Sequence, residues 1–250
     1  PPGLRTSQGR AIVNLIGCET GEKVKAFVSV KEFNETDFIV MATKNGIIKR
    51  TSLLMYSRPR KGGIYAIEIR EEDELIQAKV SHGDQDIILA TYNGKSIRFN
   101  ENDVRATGRK TMGVRGIRLG SKDDKVMGML IVKREGSVMV VTNKGYGKRS
   151  DLSEYRTQKR GGKGVITIKT TKKVGNLVGI MEAIDTDDIM LITDKGIMIR
   201  QPVESIRTIG RNTQGVRLAK LDDKTYISST VRVIKEEEEN EEENPEIEKE

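Results

Sequence analysis

The residues best placed to do chemistry are arginines that recur at fixed offsets. Arg50, Arg98, Arg149 and Arg200 each stand four residues after a glycine: Gly46, Gly94, Gly145 and Gly196. Arg105, Arg156 and Arg207 stand eleven after it, and the first unit offers Arg58, twelve after Gly46. Arg5, Arg109, Arg160 and Arg211 stand four before a second glycine, and at Gly63 the same place holds Pro59 between Arg58 and Arg60. A planar guanidinium can give two hydrogen bonds to one phosphate, so one arginine per unit makes a track for a long polyanion. A solvated strand face with local ion pairs explains any single arginine as well. Three coincident columns favour phosphate contact. One unit adds Gln158, Lys159, Arg160, Gly161, Gly162, Lys163 and Gly164, in which glycines permit close backbone approach while two lysines and an arginine supply charge.

The charge balance points the same way. The 250 residues carry a formal charge of +7, but residues 236–250 hold ten Glu and one Lys. Residues 1–235 therefore carry 43 basic and 27 acidic side chains, a net of +16. Such a body expects a polyanionic partner, nucleic acid or an anionic surface. Duplex DNA is favoured over single strands, because base stacking needs aromatic platforms and the chain has 4% aromatics with no Trp. No helix-turn-helix or zinc-finger pattern is present, which leaves backbone and shape as the means of binding. One cysteine, Cys18, excludes an internal disulfide, and one histidine, His82, excludes a histidine-based metal site. No apolar run reaches the ~20 residues that span a bilayer. A cytoplasmic setting with no membrane partner is the simplest expectation.

The elements that must position these arginines announce themselves by repetition. FIVMATKNG (38–46), IILATYNG (87–94), VMVVTNKG (138–145) and IMLITDKG (189–196) place their last glycines 48, 51 and 51 residues apart, with Thr43, Thr91, Thr142 and Thr193 three before them. The second glycines, Gly9, Gly63, Gly113, Gly164 and Gly215, are spaced by 54, 50, 51 and 51. Short runs rich in Ile, Val and Thr between Asn-Gly or Lys-Gly turns read as hairpin strands. A third strand is expected after the second glycine and a fourth after an acidic turn. Four strands per ~50-residue unit predict an all-β, propeller-like array of blades over 38–86, 87–137, 138–188 and 189–235. Residues 1–37 read as part of another blade, incomplete at its N-terminal side. Residues 236–250 read as a disordered acidic tail, either solubilising or a DNA mimic competing for the basic body.

The segment QKRGGKG (158–164) resembles the Q-R-R-G-G-K-G box of the C-terminal domain of the DNA gyrase A subunit, with Lys159 for the first arginine. GYGKRSDLSEYRTQKRGGKGVITIK (145–169), GRNTQGVRL (210–218), TGRKTMGVRGIRLG (107–120) and GRAIVNL (9–15) extend the resemblance over most of residues 3–235. It implies a β-pinwheel that wraps duplex DNA round its rim in support of negative supercoiling. It also implies partners, the gyrase B subunit together with the remainder of the A subunit in a heterotetramer, with ATP and magnesium bound elsewhere and no cofactor here. In that family the box that directs wrapping lies in the first blade, so 158–164 is either the principal box or a secondary copy.

No catalytic constellation accompanies the arginines. A GxxxxGK[ST] loop is absent, and Asp123-Asp124, Asp187-Asp188 and Asp222-Asp223 fall before strands, where turn polarity is expected. The fragment is expected to be a monomeric, non-enzymatic binding module. The alternatives are the corresponding domain of the topoisomerase IV A subunit, or else a propeller-type scaffold whose basic rim meets an acidic protein. Neutralising Arg98, Arg149 and Arg200 together is expected to weaken wrapping.

Overall fold

A computed structural model describes residues 16, 21–60 and 62–234. Arg5, Cys18, the segment 9–15 and the acidic run 236–250 lie outside the described residues, and so does the disorder expected of that run.

The fold is all-β, with four antiparallel sheets set round a common axis. The first blade joins β1 (Phe38–Thr43), β2 (Ile47–Ser52) and β3 (Leu75–Ser81). The second joins β4 (Asp86–Thr91), β5 (Lys95–Asn100) and β7 (Val126–Ile131), the third β8 (Ser137–Thr142), β9 (Tyr146–Asp151) and β11 (Leu177–Ala183). The fourth joins β12 (Asp188–Thr193), β13 (Met198–Pro202) and β15 (Ile227–Val233).

The strand expected after each second glycine is only two residues long, and it pairs with the preceding blade. Thus β6 (Val114–Arg115) pairs with β2, β10 (Val165–Ile166) with β5, and β14 (Val216–Arg217) with β9. Each exchange completes a four-stranded blade. The described residues supply no such strand to β13, so the fourth sheet has three strands among them. Residues 64–69 meet no preceding blade among the described residues and form no strand, and Tyr65 is exposed.

Sequential blades bury both faces of the inner hairpins, which is why the central strands read as unbroken apolar runs. Ile87 and Leu89 of β4 pack with Val40, Ala42 and Ile48 of the first blade. Their neighbours Ile88 and Ala90 turn the other way, onto Val138, Val140, Leu177 and Ile180 of the third. Met139 and Val141 repeat the move against Ile189 and Leu191 of the fourth. Alternation along a strand thus sets an apolar cluster between each pair of successive blades.

Both recurring glycines and the threonine are explained by the turns. In each hairpin the glycine alone has a positive φ, +84°, +77°, +74° and +80° at Gly46, Gly94, Gly145 and Gly196. The threonine three residues earlier accepts the N–H of the residue after the glycine through its hydroxyl, at 3.2, 3.4, 3.3 and 3.0 Å. Asp73 and Asp124, in the acidic turns, accept the N–H of Asn45 and Asn93. The next repeat then closes over the turn, Gly145 O accepting Leu218 N at 2.8 Å. A Cβ on Gly145 would meet Ala219 O at 2.7 Å, whereas one on Gly196 would meet nothing within 4 Å among the described residues. Gly196→Ala is expected to cost about 1 kcal/mol, the price of the left-handed backbone alone. Gly145→Ala adds a backbone clash and is expected to cost roughly 3 kcal/mol. Urea denaturation of the two variants checks the difference; equal losses would remove the role given to inter-blade closure.

Candidate nucleic-acid interface

The three arginine columns have three different fates. The column after the first glycine is turned inward as a latch between blades. Arg98 donates from Nε to Asp86 Oδ2 at 2.7 Å and from Nη1 to the carbonyls of Leu152 and Tyr155 in the next repeat, at 3.0 and 3.2 Å. Arg149 likewise donates to Ile206 O at 2.5 Å and pairs with Asp185. Arg50 is 8% exposed, donates to Asn102 Oδ1 at 2.8 Å and lies 4.1 Å over the ring of Phe38. The main chain joins in, since the carbonyls of Arg50, Arg98 and Arg149 accept the N–H groups of Thr107, Gln158 and Ile209. Arg200 meets no following blade among the described residues; its side chain is 55% exposed and reaches Asp188 alone among the described carboxylates.

The column before the second glycine makes a second latch. Arg160 donates to Asp103 O at 2.8 Å and Arg115 O at 3.1 Å. Arg211 does the equivalent one repeat on, to Glu154 O at 3.1 Å and Ile166 O at 2.9 Å. Arg109 is half-buried near Tyr56, whose hydroxyl is pushed up chiefly by burial.

The middle column is left for solvent. Arg58, Arg105, Arg156 and Arg207 are exposed, and none has a hydrogen-bond or ion-pair partner for its side chain among the described residues. They recur once per blade, immediately after the short 3-10 turn that follows the second strand of each blade.

The glycine-rich segment 158–164 docks on the outer edge of the second blade. Gly161 N donates to Gly116 O at 2.6 Å, and Arg118 N donates to Gly162 O at 2.8 Å. Gly164 has φ +66° and lies so close to Ser96 O that any side chain would collide. Gly162 sits over Ile97, where a Cβ would be 3.3 Å from the side chain. In the flanking blades a lysine is buried beneath the equivalent loop. Lys49 Nζ donates to Ala66 O and Arg109 O, and Lys148 Nζ to Gly210 O. Burial brings both lysines down to about 8. Lys159 and Lys163 are exposed, whereas the Nε2 of Gln158 is buried without a partner, so this side chain is not directed outward as a phosphate donor.

The docking of Arg160 and Arg211 gathers a further basic column that the arginine spacing does not disclose. Arg118, Lys169 and Lys220, five residues after the second glycine, are all exposed. Arg118 N and Lys169 N hold the incoming loops through Gly162 O and Thr213 O, so these residues border the loops. The signal is present once the repeats are laid over one another, but it mixes lysine with arginine. Glu68 breaks it in the first unit.

Three of the six tyrosines lie beneath cations. Lys110, Lys125 and Arg217 lie over the rings of Tyr65, Tyr92 and Tyr146 at 5.5, 5.1 and 5.6 Å. Arg217 also donates to the Tyr146 hydroxyl and holds it below the usual phenol range.

The repeats coincide with those of a known family. The family described as DNA gyrase C-terminal domain, beta-propeller, matches residues 37–82, 85–133, 136–182 and 187–233. The A subunit of DNA gyrase from Haemophilus influenzae is 39% identical over 93% of the chain and 30% of its own length. The Escherichia coli K12 protein of that name is 42% identical over 93% and 26%, and that of Staphylococcus epidermidis 42% over 94% and 27%. The chain therefore spans less than a third of the curated relatives it matches. A solved DNA gyrase A C-terminal domain superposes with a TM-score of 0.82 at 26% identity, covering 91% of this chain and 76% of that one. The C-terminal domain of a DNA topoisomerase IV superposes at 0.84, with 24% identity over 90% and 71%, a likeness of fold.

Proposed function

The chain belongs to the DNA gyrase C-terminal domain, beta-propeller family, and from that premise we propose that it binds duplex DNA without sequence preference and wraps it round its basic rim. The observation that carries the reading is the contrast between arginine columns. Two are consumed in holding blades together, while Arg105, Arg156 and Arg207 stand exposed and unpaired once per blade. Lys159, Lys163, Arg118, Lys169 and Lys220 extend the charge between them.

Bending explains why the contacts must be spread out. Turning ~40 base pairs through half a circle costs on the order of 10 kcal/mol in the smooth elastic estimate. A single patch cannot offset that, whereas repeated phosphate contacts along the rim can. In this reading the chain is the non-catalytic DNA-binding domain of a gyrase-type, ATP-dependent topoisomerase in the bacterial cytoplasm. The gyrase B subunit, with the remainder of the A subunit, is its partner, and ATP and magnesium belong there. The acidic pairs here do not fit a magnesium site, since Asp124 caps a hairpin turn and Asp187 is paired with Arg134 at 2.6 Å.

The topoisomerase IV alternative rests on fold likeness alone, while the box at 158–164 and gyrase A relatives at about 40% identity favour gyrase. Ligation of nicked circular DNA with the protein bound tests wrapping. A shifted linking-number distribution is expected; an unshifted one, with the protein demonstrably bound, leaves only a scaffold or a simple electrostatic binder.

A further inference from the structure

The axis of the disk holds a second concentration of charge, separate from the rim. The innermost strands β3, β7, β11 and β15, together with residues 27–29, line a half-open cavity of about 500 Å³. Lys79 enters it from β3, Lys133 from the end of β7, Arg232 from β15 and Glu182 from β11. Walls of Met181, Ile131 and Val231 complete it, with Phe27 exposed at its margin.

The single carboxylate is already spent. Glu182 accepts the N–H groups of Lys133 and Arg134 at 3.0 and 2.8 Å, accepts Arg134 Nε at 3.3 Å, and lies 3.8 Å from Arg232. Arg134 is bound in turn by Asp187. Lys79 has no hydrogen-bond or salt-bridge partner among the described residues. Asp37 feels the charge of Lys133, yet its carboxylate is held by His82 and Asn34. Burial, then the like charges of Arg232 and Lys133, bring the Lys79 ammonium down to about 8, with Glu182 opposing. Among the described residues the Arg232 side chain is held only by Glu182, through its carboxylate at 3.8 Å and its carbonyl at 3.4 Å, so one carboxylate faces three converging cations; their mutual repulsion is relieved by a polyanion among them.

We propose that this axial cavity is an anion site in which Lys79, Lys133 and Arg232 bind a compact polyanion of the phosphate class, a diphosphate or a small molecule bearing one. The volume lies in the range of small-ligand sites and is far too small for a duplex. Two ammonium groups offer point charges and the guanidinium a planar pair of donors, which suits an anion with several oxygens. The apolar walls accommodate an uncharged portion of the ligand.

Inorganic pyrophosphate is the probe, titrated into the chain at constant ionic strength set with sodium chloride, with melting temperature and calorimetric binding as readouts. A saturable rise in melting temperature is expected at neutral pH. Lys79→Met is expected to weaken binding at least tenfold and, in the absence of anion, to melt higher than the parent, because the repulsion is gone. Arg232→Gln provides a second variant with the same binding loss. Binding is expected to weaken as pH rises through about 8, where Lys79 loses its proton beside Arg232, Lys133 and Glu182. Arg105→Ala/Arg156→Ala/Arg207→Ala is expected to bind pyrophosphate as the parent does. No saturable effect, an undiminished effect in both axial variants, or loss in the rim variant would each overturn the proposal.

Discussion

Replacing Arg105, Arg156 and Arg207 together with alanine is expected to lower the slope of log affinity against log salt by about 3 for duplex DNA, since each phosphate contact contributes close to one unit. If the intrinsic term is unchanged, affinity at 0.1 M salt falls on the order of 10² to 10³-fold. The loss should be equal across DNA sequences, because these side chains would meet phosphates rather than base edges. Stability should hardly move. All three are exposed and unpaired, and surface changes of that kind stay within about 0.5 kcal/mol. Fluorescence anisotropy at four or five salt concentrations, with a thermal melt of the same protein, measures both quantities. An unchanged slope with an intact fold removes the middle column from the DNA path.

That choice of residues could not be made from spacing alone. An inter-blade latch recurs once per blade for the same reason that a rim contact does, so Arg98 and Arg156 look alike along the chain. What separates them is the company at the far end of the side chain. Arg98 finds Asp86 and two carbonyls 54 and 57 residues away, whereas Arg156 finds solvent. The blades themselves were legible because alternate residues of strands such as Ile87–Ala90 face different neighbours, and both sets had to be apolar. The strand exchange was not legible. Val114–Arg115 has the composition of a strand in its own unit, and only its pairing with Ile47–Ile48 reveals that its partner is the blade before. Gly113 marks the crossing, with a positive φ and Ile48 O only 2.5 Å from where a Cβ would lie. Gln158 shows the same limit in the box: its type suits a phosphate, and only the fold shows that its Nε2 is buried.

The latch makes the opposite prediction to the rim, and it revises the expectation attached to Arg98, Arg149 and Arg200. Arg98→Ala is expected to cost about 3 kcal/mol. It strands the carboxylate of Asp86, itself only 18% exposed, and leaves the carbonyls of Leu152 and Tyr155 without their charged donor. In a chain of this size that is a drop of roughly 6 to 12 °C in melting temperature. Arg200→Ala removes the same residue type at the same place in the repeat, but with Asp188 as its only partner carboxylate among the described residues, and is expected to cost less than about 1 kcal/mol in this chain. The salt slope for DNA should be the parent's in Arg98→Ala at temperatures where it remains folded, because its donors are committed inside the protein. A melt and a salt titration on both variants separate the outcomes. A stable Arg98→Ala with a slope lowered by about 1 would return this arginine to the phosphates and make the latch incidental.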